Sequence, residues 1–202
     1  LKGVLLLLLV CGGTAHVHAA ESTDLYSFVK PLDLVKLELQ GTSLPSQTAE
    51  ETGSGEILRR LTFKAVEQPV LRMLPQSGRW DWSGAGAMTL RIQNAMDWAI
   101  TLDVVIESAG GKVLRTRLAL PAGPAQTLVM PLVATSPLAH GMRAGPPMPW
   151  NKDGQRLLVA ETVEGELVAD QVLAVSLSMP RPDSPQNILL GRFGTRQDNL
   201  QK

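Results

Sequence analysis

From about residue 30 onward, apolar and polar residues alternate with a period of two, not with the 3.6-residue spacing of a helix. The clearest stretch is Ile100-Thr101-Leu102-Asp103-Val104-Val105-Ile106-Glu107. There Ile100, Leu102, Val104 and Ile106 share one face, opposite Thr101, Asp103 and Glu107. Successive side chains of a strand point to opposite sides, so this pattern predicts a half-buried strand. Met88-Thr89-Leu90-Arg91-Ile92 repeats it. So do Leu114, Thr116, Leu118 and Leu120, set against Arg115 and Arg117, and Leu173, Val175, Leu177 and Met179, set against Val172, Ala174, Ser176 and Ser178.

Turn residues punctuate these runs. Gly110-Gly111 supplies the positive φ of a tight hairpin, Asn94-Ala95-Met96-Asp97 makes the preceding turn, and Pro121-Ala122-Gly123-Pro124 makes the next, before a strand at 126–130. Weaker strands are expected at 32–39, 61–65, 70–74, 157–163 and 187–190, the first with a slip in parity at Val35 that fits a bulge. About eight to ten short strands with frequent turns and no helical stripe predict an all-β domain, an antiparallel β-sandwich of jelly-roll type. The polar stretch 40–56 is expected as a loop, and 134–155, dense in proline and glycine, as an ordered one.

The first 20 residues follow a different rule. Lys2, the apolar run from Val4 to Val10 and the small-residue exit Val17-His18-Ala19-Ala20 fit a cleaved signal peptide, and hence a secreted or periplasmic protein. The run is shorter than the roughly 20 residues that span a bilayer, so no membrane attachment is expected after cleavage. The resulting division is 1–20 signal peptide, 21–56 N-terminal extension and polar loop, 57–194 sandwich and 195–202 tail.

Composition narrows the chemistry. The chain has 202 residues, with 19 basic and 19 acidic side chains. Zero formal charge argues against a nucleic-acid partner. The only cysteine, Cys11, and two of the three histidines, His16 and His18, lie in the leader, which leaves His140 alone in a loop. A thiol nucleophile or a cysteine- or histidine-based zinc site is therefore excluded from the mature chain. The carboxylates Glu161, Glu164 and Glu166 around Gly165, and Glu50-Glu51, lack apolar sequence neighbours and are expected as surface charge. Asp81, Asp103 and Asn94 leave a structural calcium open, without a ligand loop of recognisable spacing. No cofactor is expected otherwise.

The turn Trp80-Asp81-Trp82-Ser83, followed by Leu90-Arg91-Ile92-Gln93-Asn94, resembles the opening of carbohydrate-binding-module-like jelly rolls. Gly110-Gly111, Leu120-Pro121-Ala122-Gly123, Gln126 to Leu132 and Gly141-Met142-Arg143-Ala144-Gly145-Pro146-Pro147 continue the series. In this order they resemble the non-catalytic N-terminal domain of agarase-type, β-galactan-cleaving glycoside hydrolases, over residues 61–194. In those enzymes a (β/α)8 barrel of about 250 residues follows and supplies the catalytic carboxylates. Here Leu190-Gly191-Arg192-Phe193-Gly194 resembles the junction, with eight residues after it.

The resemblance thus implies a carbohydrate-binding or accessory module with no catalytic centre, whose partner is a polysaccharide of galactan type and, in the relatives, a catalytic glycosidase domain. The alternatives are a fragment of a glycoside hydrolase and a periplasmic structural sandwich. Sugar binding needs flat aromatic faces and planar polar groups. The candidates are Trp150, beside Asn151 in the long loop, Arg143 in the same loop, Trp98 after a turn, and Trp82. Trp80 is expected as a wedge closing the sandwich, Asn94 as closing its own turn, and Arg115 and Arg117 as a solvated sheet face or cationic strip.

Overall fold

The computed structural model describes residues 22–29, 36–45, 49–53, 55–136, 149–152 and 154–198. The expected leader, His140 and Arg143 lie outside these residues. Fifteen strands occur in the described chain: β1 (Ser22–Ser27), β2 (Lys36–Gln40), β3 (Thr42–Ser43), β4 (Ala49–Glu51), β5 (Ile57–Phe63), β6 (Val70–Leu74), β7 (Ala87–Asn94), β8 (Ile100–Ser108), β9 (Val113–Leu120), β10 (Gln126–Pro131), β11 (Trp150–Lys152), β12 (Gln155–Val159), β13 (Glu164–Gly165), β14 (Val172–Ser178) and β15 (Gln186–Arg196). They form two sheets. One runs β11-β12-β10-β7-β15-β5-β3, with β1 added to β15 and β4 to β5; the other runs β13-β9-β8-β14-β6-β2.

The alternation explains the packing. Leu90 and Ile92 of β7, Leu128 and Met130 of β10, and Leu61 and Phe63 of β5 point inward from the nine-stranded sheet. They meet Leu102, Val104 and Ile106 of β8, Leu114 and Leu118 of β9, and Leu71 and Met73 of β6. These residues are almost wholly excluded from water, and burying each is worth about 1.5–3 kcal/mol. The opposite parity of β8 and β9 faces outward, which makes the jelly-roll-type sandwich two-faced.

Five features depart from the sequence expectations. The described residues of 21–56 are not an extension, because β1 pairs with β15 and β2, β3 and β4 pair with β6 and β5. The 195–202 tail begins inside β15, which runs to Arg196. The antiparallel rule has an exception, since β10 and β12 pair in parallel, Leu128 opposite Leu158. Leu173 leaves the core face because a bulge between Val172 and Ala174 shifts the register. Finally, Trp82 is 2% exposed and belongs to the core. Trp80 and Trp82 share parity, so both face inward; their rings stack at 5.6 Å and both lean on Phe193. Trp80 pairs with Val172 through two backbone hydrogen bonds and Trp82 N–H donates to Ala169 O, which pins the turn across the end of the sandwich.

Candidate functional site

The outward face of the six-stranded sheet gathers arginine and carboxylate side chains around a groove. Antiparallel register sets side chains from different strands in rows. Glu38 lies opposite Arg72, Arg72 opposite Ser176, Ser176 opposite Val105, Val105 opposite Arg115, and Arg115 opposite Glu164. The next row places Ser178 opposite Asp103 and Asp103 opposite Arg117. Directly opposed residues stand close enough to interact.

The charges in these rows are mutually paired. Arg117 donates from Nε and Nη2 to Asp103 Oδ1 and Oδ2 at 2.5 and 2.9 Å, a two-point contact. Arg115 donates to Glu164 Oε2 at 3.1 Å, and Arg72 bridges Glu107 at 2.7 Å and Glu38 at 3.1 Å. These carboxylates hold the Arg117 and Arg72 guanidiniums more firmly protonated than usual, chiefly by accepting their hydrogen bonds, Asp103 from Arg117 and Glu107 and Glu38 from Arg72.

A groove of about 510 Å³ opens over this face, lined by Asp103, Val105, Arg115, Arg117, Glu164 and Ser178, with Thr116 and Thr162 at its side. Thr116 hydroxyl donates to Thr162 O at 2.7 Å, tying the segment before β13 to the rim of the groove. Two guanidiniums and two carboxylates leave the lining formally neutral. The groove thus combines planar hydrogen-bond donors and acceptors with a small apolar contact from Val105.

The sequence candidates among the described residues do not converge on this groove. Trp150 sits on β11, the outermost strand of the nine-stranded sheet, half-buried against Ala87, Val129 and Leu157. That packing spends part of its ring, while Asn151 next to it is exposed. Trp98 stands in the turn between β7 and β8 and is 51% exposed. Trp82, in the core, has no free face. Arg115 and Arg117 do form a solvated face, though not a cationic strip, because each has a carboxylate partner. The signal for that partnership was present as Asp103 and Glu164, but only cross-strand register brings them together.

The remaining expectations can be placed in the same way. Asn94 closes its turn: its Nδ2 donates to Trp98 O and Leu120 O, and its Oδ1 accepts from Met96 N–H. Asp81 accepts from Ser83 N–H, which lowers its pKa. With Asp103 bound to Arg117, the three calcium candidates are each committed elsewhere. Among the described residues no cluster of three acidic, histidine or cysteine side chains could hold a metal ion. Glu50 and Glu166 have partners in Arg60 and Lys112, and both carboxyls are held below the ordinary range chiefly by those hydrogen bonds.

Two sheets packed face to face, with a polar groove on one outer face, define a carbohydrate-binding-module-like β-sandwich. The chain belongs to the Agarase CBM-like domain family, whose model matches residues 33–176. It is similar in structure to an exo-β-agarase, with 18% identity over 87% of this chain and 25% of that one at a TM-score of 0.65. A second agarase crystal structure matches with 14% identity over 86% of this chain and 24% of that one, TM-score 0.65. A family 11 carbohydrate-binding module from Clostridium thermocellum, in complex with a β-1,3-1,4-mixed-linked tetrasaccharide, matches at 11% identity and TM-score 0.53 over 88% of this chain and 96% of that one. At these identities the likeness is one of fold. The chain spans about a quarter of each agarase and nearly the whole of the binding module. No curated protein matches it at the sequence level.

Proposed function

We propose that this domain binds a neutral polysaccharide of galactan type as an exported accessory module, without a catalytic centre of its own. The observation that carries this reading is the groove over the six-stranded sheet, where Asp103, Arg115, Arg117 and Glu164 present planar hydrogen-bonding groups with compensating charge. Family membership supports the galactan class, and the leader-like first 20 residues support export.

A glycosidase needs a general acid with a raised pKa beside a second carboxylate. Asp103 and Glu164 in the groove are bound to arginines. This supports binding over cleavage.

Affinity electrophoresis of the mature protein through gels containing agarose, porphyran or carrageenan tests the reading. Retardation by agarose, weakened by R117A and D103A, is the expected result. A folded protein that no galactan retards, or one that releases reducing sugar from agarose unaided, overturns it.

A further inference from the structure

Four tryptophans, three phenylalanines and one tyrosine are present in the sequence. Trp98 is the exposed one; the others are buried or half-buried. It is not exposed for want of an anchored backbone. Asn94, itself 3% exposed, donates from Nδ2 to Trp98 O at 2.7 Å and to Leu120 O at 2.9 Å, and its Oδ1 receives Met96 N–H at 2.9 Å. The same turn is tied to β15, where Ala95 N–H donates to Asn187 O and Asn187 N–H to Met96 Sδ. It is also tied to the β9–β10 connection by the bridge between Asn94 and Ala122. Three segments therefore hold the backbone that presents the indole.

Asp97, immediately before it, is exposed, and its carboxylate has no hydrogen bond or ion pair among the described residues. This sets it apart from the carboxylates of the groove, which arginines already occupy.

We propose that Trp98 and Asp97 form a second saccharide contact, at the rim of the sandwich and separate from the groove, that takes a single hexopyranosyl unit. The inference rests on the carbohydrate-binding reading above. The indole face stacks on the C–H face of the pyranose, and the neighbouring carboxylate accepts hydrogen bonds from two adjacent hydroxyls. The flanking residues favour a sugar over a protein partner. The core of a protein interface is depleted in charged residues, whereas this indole stands between Ala99 and a carboxylate that has no partner among the described residues, both exposed. A clamped turn also lowers the cost of ordering the site on binding. Two contacts on one module make retention on a polymer stronger than binding of a short oligomer, because the second contact forms at high effective concentration.

Agarose gels and an agarose hexasaccharide serve as probes for the wild type, W98A, W98F, D97N and the groove variant R117A, with circular dichroism confirming the fold of each. The expected result is a roughly tenfold or greater loss of polymer retention in W98A, a partial loss in D97N and near-wild-type retention in W98F. The hexasaccharide should also shield wild-type tryptophan fluorescence from acrylamide, and this shielding should disappear in W98A. If R117A loses retention while W98A matches wild type and shows unchanged shielding, the rim contact is overturned and the groove stands. If wild type is not retained at all, the carbohydrate reading falls and the rim contact falls with it.

Discussion

Tyr26 offers a clean test of the packing, because it is the only tyrosine in the sequence. Its ring lies 4.8 Å from Phe28 and its residue pairs with Phe193 across β1 and β15. It is 6% exposed, and its hydroxyl has no hydrogen-bond partner among the described residues. Burial pushes its pKa from the ordinary value of 10.0 up to about 12, against a smaller opposing pull from the Arg59 charge. Below pH 10 the phenol is neutral whether the chain is folded or unfolded, so the full contribution to stability is present. As pH rises through the window between the two values, only the unfolded chain loses its proton, and stability declines until the folded phenol ionises too. Two units at about 1.4 kcal/mol each amount to roughly 2–3 kcal/mol. Absorbance at 295 nm reports this group alone and should give a midpoint near 12 in the folded protein. Urea midpoints at pH 9 and pH 11.5 should fall further for wild type than for Tyr26→Phe, which removes the titrating group. At neutral pH that variant should be neutral or slightly stabilised, since it relieves an unpartnered buried hydroxyl. A native midpoint near 10, or equal alkaline losses in the two proteins, would refute the burial argument.

Three further substitutions examine other parts of the sandwich. Asn94→Ala removes three hydrogen bonds made by a buried side chain and should cost about 2–4 kcal/mol in chemical denaturation; a loss under about 0.5 kcal/mol would show that the clamp is dispensable. Gly194→Ala would set a Cβ 2.2 Å from Thr23 O, so β1 must move away, with a loss of about 1–3 kcal/mol and faster amide exchange in β1; unchanged exchange would contradict the β1–β15 pairing. Glu50, held below the ordinary carboxylate range by Arg60, contributes stability above that range and loses it as pH falls. Both partners are about a third exposed, so Glu50→Gln should cost at most about 1 kcal/mol at pH 7 and converge with wild type on acidification; a difference that persists at pH 2 would refute the pairing.

The central strands are legible in the sequence because their signal is local. Alternation at Met88, Leu90 and Ile92, and at Leu102, Val104 and Ile106, states which side chains avoid water. Turn chemistry at Asn94 and Gly110-Gly111 states where the chain reverses. β6 was expected at its observed bounds, 70–74. The polar stretch 40–56 hid β3 and β4, because short strands docked on an existing edge need little hydrophobic pattern of their own. Likewise β1 is recruited by the backbone groups of β15 rather than by an apolar stripe.

The candidate site divided along the same line. Trp98 could be proposed from its place after a turn, and Arg115 and Arg117 from their shared parity. Their pairing with Glu164 and Asp103 could not, because residues 49 and 14 positions apart in the chain meet only through strand register. Trp82 moved from candidate surface to core for a related reason: whether an inward-facing residue at a sheet end is covered depends on what closes that end, here Phe193 and the Trp80 ring. Local alternation of water-avoiding and water-seeking side chains was enough to specify strands and the two-faced character of the sheets. Which strands become neighbours, and therefore which charges neutralise each other and which indole stays in water, depends on contacts between distant parts of the chain that exist only once the two sheets have closed on a common core.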